Sequence, residues 1–149
     1  MKLLGLDVGD SKIGVAISDG LGFIAQGMLT FKRNTLGKDL HFIQHLIAEY
    51  EVEEVVVGLP LKMNGTCSSQ TNKTLAFRDF LSKHLHVPVH TWDERLTTVQ
   101  AIKILKHGHV RCKKHAPLID KVAAVIILQG YLDRRNVVRE YAEMSYASS

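Results

Sequence analysis

The stretch that decides the fold is Lys2–Asp19, KLLGLDVGDSKIGVAISD. It opens with an apolar run, Leu3–Leu6, and Asp7 then stands where a buried strand should continue. Gly9 permits a tight turn because glycine tolerates positive φ, and a second apolar run, Ile13–Ile17, follows it. The pattern predicts a β-hairpin at the centre of a sheet, with one carboxylate near the tip of its first strand.

Asp7 supports two interpretations. A buried carboxylate is costly, so it normally needs a cation or several hydrogen bonds. The simpler alternative is that Asp7 caps its own turn through Val8-Gly9-Asp10. Two further acids in apolar surroundings, Glu94 and Asp120, favour the first interpretation.

Composition limits the class of protein. A chain of 149 residues with 46% apolar and 23% charged residues is typical of one globular domain. We predict that domain over residues 1–135 and a mobile C-terminal tail over residues 136–149. No run approaches the roughly 18 apolar residues of a membrane span, and no signal-peptide pattern is present. Cys67 and Cys112 do not form a disulfide framework, so we expect a cytoplasmic protein without membrane contact.

The order of the predicted elements indicates an α/β fold. Three antiparallel strands lead into two βα units and two further helices. Because parallel crossovers are right-handed, a mixed five-stranded sheet with helices on both faces satisfies this order, which is the ribonuclease H-like arrangement. The predicted strands are Leu3–Val8, Lys12–Ser18, Phe23–Phe31, Val55–Leu59 and Val87–Trp92; the predicted helices run from Leu36 to just before Glu53-Glu54, over Ser68–His84, from Thr97 or Thr98 to about Lys106, and from Pro117 to about Arg134.

Three acids stand out by their surroundings. Asp7 lies on the first strand, Glu94 follows the fifth, and Asp120 lies in the first turns of a helix that is apolar nearly all round. Each has a simpler explanation when taken alone. Asp120 would compensate the helix dipole, and Glu94 would be a solvated loop acid paired with Arg95.

Taken together, the three acids predict a metal site. Functional groups of open α/β sheets gather at the carboxyl ends of parallel strands, and Asp120 can approach Asp7 if the last helix packs across the first strand. Three neighbouring carboxylates cannot all stay ionised without a counter-charge. Mg²⁺ or Mn²⁺ supplies it through oxygen ligands, and two such ions about 4 Å apart promote phosphodiester cleavage.

Four motifs resemble the YqgF family, in the same order and over residues 2–133. They are DVGDSKIGVAISD, VVVGLPLKMNGT, DERLTT and IDKVAAVIILQGYLD. Members are bacterial proteins described as Holliday junction resolvase-like or as pre-16S rRNA nucleases. The resemblance implies a ribonuclease H-like fold, a cytoplasmic location, divalent-metal nuclease chemistry and processing of the 5′ end of pre-16S rRNA. By motif position, the metal-binding acids of the family fall on Asp7, Glu94 and Asp120.

The chain departs from related junction resolvases at one position. Those proteins often carry two acids three residues apart on the last helix, and the second place is Ala123 here. The departure would leave the site one ligand short and catalytically weak.

Basic residues predict a nucleic-acid partner. The net charge is +4, and each cation that contacts a phosphate adds salt-dependent affinity. Ordinary surface charge is the alternative. The candidates for backbone binding are Lys12, Arg95, Arg111, Lys113 and Lys114. A zinc cluster within 107–115 is disfavoured because its His and Cys spacing matches no standard site.

The sequence favours a nuclease that acts on structured RNA, in ribosomal precursor particles, as a monomer or weak homodimer. A resolvase of four-way DNA junctions would need a stable dimer. A nucleic-acid-binding assembly factor with a vestigial site is an alternative of another class. An actin-like ATPase would need a second such domain, and the chain has no Gly-x-x-x-x-Gly-Lys-Ser/Thr loop.

Overall fold

Five strands form one mixed sheet between layers of helices. The computed structural model describes residues 1–99 and 116–147, with side chains for 1–99 and 121–146. The elements in this part of the chain are β1 (Lys2–Val8), β2 (Lys12–Ser18), β3 (Ala25–Lys32), α1 (Leu36–Tyr50), β4 (Val52–Leu59), α2 (Ser69–His84), β5 (Val89–Asp93), a 3₁₀ turn (Glu94–Leu96) and α3 (Ala116–Ala147).

The strand order is β3-β2-β1-β4-β5. β1 pairs antiparallel with β2 and β2 with β3, whereas β4 is parallel to both β1 and β5. Asp7 lies opposite Gly14 of β2, and Gly58 of β4 lies opposite Trp92 of β5. The carboxyl ends of β1, β4 and β5 therefore meet at one edge of the sheet.

Helices cover both faces of the sheet, as the sequence predicts. Leu4, Leu6 and Val8 of β1 contribute to the core beneath α1 and α2. Leu3 contributes to the core beneath α3, and the alternation of strand side chains puts Asp7 on the same face. α3 lies so close to β1 that a Cβ at Gly5 would be 2.7 Å from Cβ of Leu128.

Local capping sets several element boundaries. Thr35 caps α1 by accepting the Lys38 N–H, and Ser68 forms a capping box with Thr71 at the start of α2. β3 begins at Ala25, two residues later than predicted from Phe23. The carboxylate of Asp19 accepts the N–H groups of Phe23 and Ile24 at 2.8 and 3.2 Å, so these residues close a turn before the strand starts.

The last helix is longer than predicted. The sequence predicts an end near Arg134, but the helix continues to Ala147. Residues 136–147 contain neither proline nor glycine to interrupt its backbone hydrogen bonds. The division into a domain over 1–135 and a tail over 136–149 stays a prediction. The helix predicted to end at about Lys106 falls largely outside the described residues. None of the helices that the structure describes has the length and apolar character needed to cross a membrane.

Candidate active site

Two of the three predicted acids lie on one face of the sheet at its carboxyl edge. Asp7 is 5% exposed and Glu94 is fully buried. A Cβ built on Gly58 would lie 2.8 Å from Oε1 of Glu94, so this carboxylate reaches over the end of β4. Leu6 pairs with Val57, and the next step of that register sets Asp7 beside Gly58. The fold thus brings acids from β1 and from the turn after β5 together across β4.

Gly58 makes this approach possible. A Cβ at this position would also lie 2.4 Å from Cδ1 of Ile127 on α3, closer than packed carbon atoms come. Any larger residue would displace Glu94, Ile127 or both. Gly58 lies within the motif VVVGLPLKMNGT, but the sequence alone does not predict that it makes room for Glu94. The available signal was a glycine inside an apolar strand, which often marks a close approach.

The turn that carries Glu94 is held by its two neighbours. Asp93 accepts the backbone N–H of Arg95 at 2.9 Å and its guanidinium at 2.7 Å. These hydrogen bonds lower the pKa of Asp93 below its ordinary value. Arg95 also donates to the carbonyl of Met63 at 3.3 Å, which ties the turn to the loop after β4. Because Glu94 itself is fully buried, the alternative that it is a solvated loop acid is wrong.

Arg33 holds the turn that follows Asp7. Its guanidinium donates to the carbonyl of Gly9 at 3.0 Å and lies 3.4 Å from the buried carboxylate of Asp39. It also lies 4.8 Å from the ring centre of Phe77, within the range of a cation–π interaction. This arrangement cannot be predicted from the sequence, because neither Arg33 nor Asp39 belongs to a local pattern that separates it from ordinary surface charge.

Asp120 lies in α3, as predicted, and its side chain is outside the described part. Leu128 of this helix lies over Gly5, and Arg135 donates to Sδ of Met1 at 3.2 Å. The helix therefore runs antiparallel to β1, and its backbone at residue 120 lies towards the Asp7 end of that strand. Ala123 is fully buried in the core between α3 and the sheet.

The candidate cations differ in their surroundings. Lys12 begins β2, near Asp7, and Arg95 is paired with Asp93. The three remaining candidates, Arg111, Lys113 and Lys114, fall outside the described residues, so their role in binding stays a prediction.

The donor chemistry of the two described acids fits a hard divalent cation, which prefers carboxylate oxygens. The side chains that the structure describes contain no group of three His, Cys, Asp or Glu residues able to hold a metal ion. The third acid of the predicted set, Asp120, is not among those side chains. The complete ligand set therefore stays a prediction.

Sequence comparison relates the chain to one protein family and to several bacterial proteins that share a name. A family model described as "RuvX: Holliday junction resolvase" matches residues 1–134. The chain is 50% identical over 133 residues to the "Putative pre-16S rRNA nuclease" of Desulforamulus reducens, across 89% of this chain and 97% of that protein. It is 52% identical over 136 residues to the protein of the same name in Halothermothrix orenii, across 91% and 97%.

Structural comparison confirms the predicted fold class. The chain resembles RuvC of Thermus thermophilus in complex with a Holliday junction substrate, with a TM-score of 0.55 and 14% identity, across 91% of this chain and 96% of that chain. A second structure of RuvC from Thermus thermophilus gives a TM-score of 0.53 at 15% identity, across the same shares of the two chains. At this identity the likeness concerns the fold alone.

Proposed function

Because this chain belongs to the RuvX family of Holliday junction resolvases, we propose that it is a metal-dependent nuclease that processes the 5′ end of pre-16S rRNA. The observation that carries the proposal is the pair of buried carboxylates, Asp7 and Glu94, on one face at the carboxyl ends of the strands. The printed name of relatives near 50% identity supports the choice of RNA.

The proposed ligands are Asp7, Glu94 and Asp120, and the proposed metal is Mg²⁺ or Mn²⁺. When bound, the metal supplies Lewis-acid chemistry that promotes ionisation of water and stabilises charge on the leaving oxygen. The protein contributes the placement of its acids. Arg33 holds the turn after Asp7, and the Asp93–Arg95 pair holds the turn that carries Glu94. Both acids therefore keep their positions before substrate arrives, which limits reorganisation during the reaction.

The proposed substrate is structured RNA within ribosomal precursor particles in the cytoplasm, bound by a monomer or weak homodimer. A net charge of +4 supports attraction to a polyanion. Lys12 lies near the acids, where a contact with the backbone would place a phosphodiester at the site.

The proposal is tested with purified protein, pre-16S rRNA and a four-way DNA junction, each with Mg²⁺ or Mn²⁺. We expect cleavage of the rRNA near its mature 5′ end and loss of all cleavage in excess chelator. Restoring the divalent cation should restore cleavage. Cleavage that continues at full rate in chelator would refute the metal-dependent mechanism.

The family description favours one second candidate, a resolvase of four-way DNA junctions. A resolvase must present two sites to a two-fold symmetric junction, so it requires a stable dimer in solution. Paired symmetric cuts in the junction, together with a dimeric mass, would favour this candidate over the rRNA nuclease. Binding of both nucleic acids without cleavage, and without heat on metal titration, would instead favour an assembly factor.

A further inference from the structure

Two lysines lie directly opposite each other at the edge of the sheet that carries Asp7. Lys12 of β2 is the register partner of Lys32 of β3. Opposite residues of an antiparallel pair project from the same face with Cβ atoms about 4.5–5.5 Å apart, and like charges placed in this way destabilise a sheet. Neither lysine forms an ion pair with an acid in the part of the chain that the structure describes.

The lysine pair shares the face of the acids. Asp7 lies opposite Gly14, and Lys12 lies two residues from Gly14 along β2. The alternation of side chains therefore puts Lys12 on the α3 face with Ala16 and Asp7. Two residues of strand span about 7 Å, and paired strands have Cα atoms about 5 Å apart. Lys12 and Asp7 are therefore close, and Gly14 sets no side chain between them.

We infer that Lys12 and Lys32 together bind the phosphates of an RNA strand next to the phosphodiester that the acids address. The inference rests on the proposed function and specifies the path of its substrate, from the acids across β2 and β3. A phosphate between two ammonium groups removes their mutual repulsion, so binding relieves an unfavourable contact of the free protein. Lys32 is exposed and Lys12 is half-buried, which leaves the pair accessible from one side.

The test measures binding without cleavage. Fluorescence anisotropy with a labelled single-stranded RNA in excess chelator gives the affinity over a series of salt concentrations. The test variant carries Lys12→Gln and Lys32→Gln. The control carries Lys38→Gln and Lys83→Gln, which remove two exposed lysines from α1 and α2 on the other layer.

The test variant should bind RNA more weakly, and its salt slope should be smaller by about 1.4, from about 0.7 for each single-strand phosphate contact. The control should keep the slope of the unaltered protein. An unchanged slope in the test variant, or an equal decrease in the control, would overturn the inference. The inference would also be overturned if the test variant lost affinity for duplex DNA but kept its affinity for RNA.

Thermal unfolding separates binding from a structural role. Because the variant removes like-charge repulsion, it should unfold at the same temperature as the unaltered protein or higher. A lower Tm with unchanged RNA affinity would assign the pair to folding and overturn the inference. If the double variant loses both Tm and RNA affinity, the single variant Lys32→Gln decides. It should lower the salt slope by about 0.7, and an unchanged slope would overturn the inference.

The two proposals fail in different ways. If RNA binding depends on Lys12 and Lys32 but the protein cleaves no RNA, the proposed nuclease is refuted and the phosphate-binding pair is retained. Cleavage of pre-16S rRNA with an unchanged salt slope in the variant would refute the pair alone. Absence of RNA binding by the unaltered protein would refute both.

Discussion

Asp93 and Glu94 are neighbours in sequence, but their environments are opposite. Successive residues at a strand end project to opposite faces. Glu94 is fully buried against Gly58, on the face that carries Asp7. Asp93 instead pairs with Arg95, whose hydrogen bonds lower the pKa of Asp93. The structure therefore supports Glu94 as the residue at the proposed site and Asp93 as the residue that shapes the turn.

Replacing Glu94 by Gln should lower the rate of rRNA cleavage by at least about 10²-fold, because a proposed metal ligand loses its charge. Asp93→Asn should retain most activity, since the amide oxygen of Asn can still accept the N–H of Arg95. Single-turnover cleavage measures both variants, and circular dichroism confirms that each is folded. The reverse order of rates would assign the ligand to Asp93.

At the scale of elements, β4 separates the two strands that supply acids to the edge of the sheet. Glu94 can reach over β4 because Gly58 has no side chain, and Ile127 of α3 fills the space beside it. One small residue in a central strand thus sets both the packing of a helix and the position of a carboxylate.

The variant Gly58→Ala should be destabilised by about 1–3 kcal/mol, since an added methyl overfills a packed core. It should also lose at least about tenfold in cleavage rate because Glu94 is displaced. Adding Ile127→Val removes the nearest atom and should recover part of the stability while activity stays low. Thermal unfolding and single-turnover cleavage measure the two effects.

Gly37→Ala serves as the control for this change. Nothing lies within 4 Å of a Cβ at Gly37, so this variant should keep full activity and unfold at the same temperature or slightly higher. Full activity in Gly58→Ala would show that the position of Glu94 does not depend on the missing side chain at Gly58.

At the scale of the whole molecule, α3 joins the sheet to a helical extension. Arg135 donates to the carboxylate of Glu54 at 2.6 Å, and Asn136 donates to the carbonyl of Gly22 at 3.2 Å. Beyond these anchors, several apolar side chains are more than half exposed, namely Val137, Val138, Tyr141, Met144 and Tyr146. The predicted domain over 1–135 therefore contains most of the packed core.

A chain that ends after Asn136 should fold and cleave rRNA, with a Tm within a few degrees of the full chain, because it keeps both anchors. In the full chain, Arg135→Ala should be less stable by about 1–3 kcal/mol, because the largely buried carboxylate of Glu54 loses its 2.6 Å hydrogen bond from Arg135 and keeps the contact with His90 at 3.3 Å. Thermal unfolding compares the two variants. If the shortened chain unfolds more readily than Arg135→Ala, the helical extension contributes to the stability of the domain.

Sequence by itself determined the local features of this protein. The hairpin around Gly9, the start of α1 and the buried run of β4 follow from periodicity and capping, which involve residues close together in the chain. The three acids stood out because carboxylates are unexpected among apolar residues. The end of α3 is a local feature that the sequence predicts wrongly, near Arg134 instead of Ala147. Residues 136–147 carry no strong local signal for or against a helix.

Only the tertiary structure decided which groups meet. The burial of Glu94 against Gly58, the contact of Arg33 with Gly9 and the opposition of Lys12 and Lys32 all join residues on different elements. Strand register and helix packing create these contacts, and both result from burial of the whole core rather than from any local pattern. A periodic sequence specifies which face of an element is buried, whereas the partner on that face is set by the three-dimensional arrangement of all the elements together.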